Sequence, residues 1–87
     1  MGTLTSYIKE ALRLAHYETL EDPQFHYIGT IAGLEGLWAG AETLEACRDA
    51  LEEELEDWIL LGLQLGHTIP VIAGINLNES REPLETY

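Results

Sequence analysis

The chain has 87 residues, of which 46% are hydrophobic, so it holds one small globular domain and is not a disordered tract. Four Lys and Arg against 16 Asp and Glu give a net charge of −12, which repels phosphate backbones and excludes direct nucleic-acid binding as an expectation. The single cysteine, Cys47, excludes an internal disulfide framework. No basic segment followed by an apolar one opens the chain and no apolar run approaches ~18 residues, so no signal peptide or membrane span is expected and the cytoplasm is the expected location. A domain of this length buries only somewhat over ~60% of its unfolded surface, so self-association is a natural supplement to its stability.

Residues 4–15 have helical spacing, with Leu4, Ile8, Ala11, Leu12 and Ala15 on one side. Thr5 or Ser6 can cap that helix, and Glu10 and Arg13 are spaced for a weak pair. His16–Asp22 reads as a first strand, and Pro23 in the following break presets a turn. Phe25–Ile31 alternates Phe25, Tyr27, Gly29 and Ile31 against His26, Ile28 and Thr30, which makes it the second arm of a hairpin. Gly33 and Gly36 bracket a turn, Leu37–Ala39 forms a short third strand, and Thr68–Ile72 fits a fourth that Pro70 confines to a sheet edge. Residues 73–87 read as a loose acidic tail, and no repeat or second domain is present.

The long helix between the third and fourth strands is the centrepiece. Thr43 is a favourable N-cap with Glu45 in the first turn, and Gly66 is a favourable C′ residue. Leu44, Cys47, Leu51, Leu55, Trp58, Gly62 and Leu65 follow at three- and four-residue steps along one stripe. Glu42, Glu45, Asp49, Glu52, Glu53, Glu56 and Asp57 fall opposite. Like charges four apart on that face repel by roughly 0.2–0.5 kcal/mol each, offset in part by Glu45–Arg48 and Arg48–Glu52. From Trp58 onward the helix is apolar nearly all round, and such an end must be covered. A second subunit contacting Leu60, Leu61 and Leu63 is the expected cover. Helix, three strands, long helix and strand together predict an α+β fold, an antiparallel three- to four-stranded sheet packed on one long helix with a short N-terminal helix.

The run Gly29, Ile31, Leu34, Gly36, followed by Gly40–Ala41–Glu42–Thr43–Leu44–Glu45–Ala46 and later by Ile69–Pro70, resembles the N-terminal domain of the HicB antitoxin family. Leu34 and Gly36 match that family's turn, Gly40, Thr43 and Ala46 its helix start, and Ile69–Pro70 its edge strand. The resemblance covers residues 16–72, with Ala32 where the family usually has proline. It implies a partial ribonuclease-H-like fold without catalytic carboxylates, and a partner that is a small basic HicA-type toxin cleaving messenger RNA. The 15 residues that follow Ile72 are too few for the family's usual DNA-binding domain, so operator binding is not implied.

Other chemistry is weaker. His16 and His26 could face each other across the hairpin with Glu18, but they lack the tight multi-ligand spacing of a zinc site. Cys47 with His67 could imitate a nucleophile and base, yet Cys47 lies on the apolar stripe, where cysteine behaves as a small hydrophobe. The acidic helix face could serve a metal-dependent hydrolase, but a hydrolytic pair needs a cleft with two differing environments, which an outward face does not provide. The reading adopted is a non-enzymatic, HicB-like antitoxin domain with no cofactor or metal, associating as a dimer or tetramer. Its expected partner-binding residues are Tyr17, Thr19, Tyr27, Leu34, Glu35 and Trp38, on the hairpin and the turn that follows it. The alternative is an oligomeric protein-binding scaffold of the same fold with no toxin partner.

Overall fold

A computed structural model describes residues 2–77, and the elements run α1 (Thr3–Arg13), β1 (Ala15–Thr19), β2 (Tyr27–Ile31), β3 (Trp38–Ala41) and α2 (Leu44–Gln64). The strands form one antiparallel sheet in the order β1-β2-β3. Ala15 faces Ile31 at one end of the first ladder and Thr19 faces Tyr27 at the other, while Thr30 faces Trp38 in the second ladder. The fold is the predicted α+β arrangement, with α2 laid across β2 and β3 and α1 against α2. Among the described residues no helix is long and apolar enough to cross a membrane.

Thr43 caps α2 as its sequence position predicts, its Oγ1 accepting the Ala46 N–H at 3.1 Å. At the other end Gly66 takes a φ of +76°, a left-handed conformation that side chains disfavour. The His67 N–H then donates to the Gly62 carbonyl at 2.8 Å and the Gly66 N–H to Leu63 at 3.2 Å. These two bonds form a Schellman motif, which satisfies carbonyls that the helix end leaves open. The core stripe of α2 is Cys47, Leu51, Leu55, Ile59 and Gly62. The predicted stripe ran through Trp58 instead of Ile59 and extended to Leu44 and Leu65. Steps of four keep the buried face in phase as far as Ile59, so Trp58 sits half-buried at the margin, while Leu44 and Leu65 are exposed.

Several local expectations are corrected. In α1 the fully buried residues are Tyr7 and Ala11, with Ile8 and Leu12 only half-buried and Leu4 exposed. Tyr7 takes the inward position because its ring is long enough for its hydroxyl to donate to the Pro70 carbonyl at 2.6 Å, and burial raises its pKa. Gly2 occupies the N-cap position of α1 without a side-chain bond, so neither Thr5 nor Ser6 caps it. The expected Glu45–Arg48 and Arg48–Glu52 pairs do not close. Within 4 Å the ion pairs among the described residues are Glu10–Arg13, as expected, and His16–Glu18.

The fourth strand is absent from the sheet. Pro70 has no N–H to give a ladder, and its carbonyl is held by Tyr7. Ile69 is buried, and its side chain comes so close to Gly62 that a Cβ there would lie 2.9 Å from the Ile69 Cδ1. A side chain at position 62 would oblige the Ile69 side chain to shift. The chain then turns at Ala73 and Gly74, both with positive φ, and Ile72 and Ile75 form an isolated antiparallel bridge. Ile72 and Leu77 are buried and Ile75 is half-buried against the core, so the chain stays packed on the domain as far as Leu77; the remainder of the expected loose tail, residues 78–87, lies outside the described residues.

Candidate functional site

Alternation assigns the two faces of the sheet. Ile31 and Ala39 are buried on the α2 side, with Gly29, Tyr17 and Tyr27 in the same phase. Ile28 and Thr30 of β2, Trp38 and Gly40 of β3, and His16 and Glu18 of β1 therefore occupy the outer face, away from α2. There the Phe25 ring lies against Gly40, where a Cβ would stand 2.6 Å from Phe25 Cδ1 and 3.0 Å from Ile28 Cδ1. Phe25 meets Trp38 edge to face, with ring centroids 6.1 Å apart and planes at 87°. Trp38 is 52% exposed and Phe25 38%, so the pair forms an uncovered aromatic platform.

The loop before β2 aims Phe25. Asp22 Oδ1 accepts the Gln24 N–H at 2.8 Å and the Phe25 N–H at 2.9 Å, an Asx-type turn that redirects the chain as it enters β2. Hydrogen bonding, first from Phe25 and then from Gln24, lowers the Asp22 pKa. A carboxylate depressed in the folded state supports that state above its unfolded pKa and loses the support as pH falls through its folded value. The Phe25 amide resonance should therefore titrate with a midpoint below the ordinary aspartate range. A midpoint at or above that range would show that the turn is not formed.

The turn between β2 and β3 is tied into the core from both ends. Leu34 N–H donates to Ile31 at 3.2 Å and Leu37 N–H to Leu34 at 3.3 Å, and both leucines are buried. Glu35 stays exposed, and its carbonyl accepts the Trp58 indole N–H at 3.2 Å. That bond explains why Trp58 sits at the margin of α2's buried face: its ring reaches out to hold the turn.

The six residues expected to bind a partner do not form one surface. Trp38 and Glu35 are exposed, and Thr19 is exposed at the end of β1. Tyr17 and Tyr27 are half-buried on the α2 side, the Tyr17 ring lying over Gly29 beside Leu51. Leu34 is a core residue, so its side chain is not on the surface of this chain. Of the six, Trp38 belongs to the platform, where its ring meets Phe25, and Phe25 and Ile28 lie together over Gly40. Simple alternation from Tyr27 put Phe25 on the core side, and the signal that could have moved it was Asp22 followed by Pro23, a turn-forming pair immediately upstream.

The sequence's other candidates are separated. His16 pairs with Thr30, whereas His26 lies opposite Leu20 and its Nδ1 contacts the Leu20 carbonyl at 3.0 Å, so the two histidines do not face each other. Cys47 is buried near the start of α2 with its thiol against the Ala39 and Tyr27 carbonyls, and burial pushes its pKa up. His67 lies beyond the other end of α2, about 26 Å further along at 1.5 Å per residue. Among the described residues no group of three or more His, Cys, Asp or Glu could hold a metal ion. Asp49, Glu52, Glu53, Glu56 and Asp57 are all exposed.

At the apolar end of α2, Leu60 and Leu61 are 48% and 56% exposed, while Leu63 is half-buried against the core. Leu61 and Leu65 border a hollow of about 330 Å³ whose other walls include Trp58, Gly62 and Ile69.

Residues 6–70 match the family model described as UPF0150-like. No curated protein matches the chain. Among solved structures, the crystal structure of TTHA0281 from Thermus thermophilus is similar at 40% identity over 88% of this chain and 94% of that one, with a TM-score of 0.82. On the extent of the family match and the identity to that structure, the chain belongs to the UPF0150-like family.

Proposed function

We propose that this protein is a non-enzymatic, HicB-like antitoxin that occludes a small basic HicA-type toxin cleaving messenger RNA. The UPF0150-like family is related to the HicB-like antitoxins, which supplies the partner class. The observation that carries the reading to a surface is the exposed Phe25–Trp38 pair on an uncovered sheet face. Exposed aromatic side chains with few rotatable bonds are the groups that anchor protein interfaces. The net charge of −12 gives a basic partner a reason to approach, and rim charges of opposite sign mainly raise the association rate and make it salt-dependent. Co-expression with a small basic HicA-type toxin should relieve the growth arrest that the toxin causes. Persistent arrest, with no complex even at low salt, would leave the scaffold reading in its place.

The same reading includes a homo-oligomer, a dimer or tetramer. Leu60, Leu61 and Leu65 are exposed towards the end of α2, Leu61 and Leu65 bordering the hollow there, and a second subunit covering them would bury apolar surface worth about 25 cal/mol per Å². Leu61→Lys should shift sedimentation of the purified chain towards the monomer while leaving the helical signal unchanged. A wild-type chain that sediments as a monomer at micromolar concentration would remove self-association from the account.

A further inference from the structure

β1 is an edge strand: among the described residues only β2 pairs with it. Its outward peptide groups follow from the register, because hydrogen-bonded and non-hydrogen-bonded pairs alternate along an antiparallel ladder. The Leu20 N–H donates to the His26 carbonyl at 2.8 Å, so Glu18–Ile28 and His16–Thr30 are the bonded pairs. The N–H and C=O groups of Ala15, Tyr17 and Thr19 therefore turn away from β2, and no other described segment bonds to them. Proline and lysine are the residues that commonly blunt such an edge, and Ala15–Thr19 contains neither.

The polar side chains of β1 are complementary to their own reversal. On the outer face His16 and Glu18 flank the position of Tyr17, with His16 Nε2 3.6 Å from Glu18 Oε1 and both side chains exposed. When two β1 strands pair antiparallel, outward residue must oppose outward residue. Centred on Tyr17, the pairing sets Ala15 against Thr19 at each end and overlaps the whole strand. Each His16 then stands opposite the Glu18 of the other copy, in a non-bonded pair where side chains are closest, an imidazole donor against a carboxylate acceptor. Centred on Glu18 the pairing would oppose two carboxylates, centred on His16 two imidazoles, and either shift shortens the overlap. The surroundings suit a second copy as well. The groove between α1, β1 and α2, which Ala15 and Tyr17 border, carries Lys9, Arg13 and Arg48 against Glu52 and Glu56. Two chains of net charge −12 thus meet where the local charge is nearly balanced.

We propose that two copies of this chain join through β1, antiparallel and centred on Tyr17, so that two three-stranded sheets become one continuous sheet across a two-fold axis. Such a contact uses the same patch of both copies, and the backbone groups of Ala15, Tyr17 and Thr19 close the new ladder. A two-fold axis perpendicular to the sheet keeps both outer faces on one side. His16 and Glu18 of the two copies therefore alternate around a square there, each imidazole between two carboxylates. The contact uses neither the Phe25–Trp38 platform nor the leucines at the end of α2, and it rests on neither of those readings.

Cross-linking of the full chain reads the register, since Cys47 is buried and a non-bonded cross-strand pair is close enough for a disulfide. A mixture of His16→Cys and Glu18→Cys chains should oxidise to a covalent dimer, whereas neither variant should do so alone. Thr19→Pro removes an N–H that faces the open edge and leaves the β1–β2 ladder intact. It should raise the dimer dissociation constant by about tenfold or more with little change in the melting of dilute protein. His16→Glu should also weaken the dimer, and adding Glu18→Lys to it should restore association. At millimolar concentration the Leu61→Lys chain should still dimerise, which separates this contact from the one at the end of α2. A covalent dimer from the Glu18→Cys chain alone, none from the mixture, or unchanged sedimentation of the Thr19→Pro chain would overturn the proposal. So would a Leu61→Lys chain that stays monomeric.

Discussion

Ile59→Ala should destabilise the domain by about 2–5 kcal/mol, the range for truncating a large aliphatic side chain in a packed core. Ile59 is fully buried on the face of α2 that meets the core, as are Leu55 and Leu51 one and two turns earlier. An 87-residue domain has a total stability of order 4–13 kcal/mol, so one such truncation removes a large fraction of it. Each kcal/mol moves the melting temperature by roughly 4–8 °C in domains of this size. Trp58→Ala, one position away, should have the smaller effect despite removing the larger side chain. Trp58 is only half-buried, and its one hydrogen bond, to the Glu35 carbonyl, is worth about 1 kcal/mol. Thermal melts of the two variants read the helix phase directly: if Trp58→Ala melts lower than Ile59→Ala, the buried stripe has been placed one residue out.

Trp38→Ala should separate binding from folding. The side chain is 52% exposed and its ring contact is to Phe25, itself 38% exposed, so stability should fall by no more than about 1 kcal/mol. If the platform is the docking surface, loss of its larger ring should weaken the complex with the basic toxin by about 2 kcal/mol or more, about 30-fold in Kd. Calorimetric titration of the variant checks this. An unchanged Kd with an intact fold would move the interface off the outer sheet face.

The elements were legible in this sequence because local chemistry and periodicity agree there. Thr43 and Gly66 delimit α2 by their own capping bonds, and the alternation in residues 27–31 fixes both the strand and its inward face. Misreadings arose where a long-range contact overrides a local pattern. Nothing near Tyr7 announces that its hydroxyl will hold a carbonyl 63 residues away, yet that bond helps keep residues 68–71 out of the sheet. Trp58 fits the apolar stripe by a step of three, but the stripe keeps steps of four to Ile59, and Trp58 turns outward to hold the turn at Glu35. The outer face of the sheet was the least legible part. Leu34 reads as a turn residue, but the turn folds inward, and Phe25 reaches the outer face only because Asp22 bends the loop before β2. Where Gly40 leaves room, the ring that fills it comes from outside the strand, which alternation along a strand cannot foresee.

Occlusion of a basic ribonuclease is read out by following RNA cleavage as this chain is titrated into a purified small basic HicA-type toxin. Cleavage should stop near a stoichiometric ratio, the onset of inhibition should slow as salt rises, and Trp38→Ala should require a large excess. Cleavage that continues undiminished with the wild-type chain in tenfold excess at low salt would contradict it.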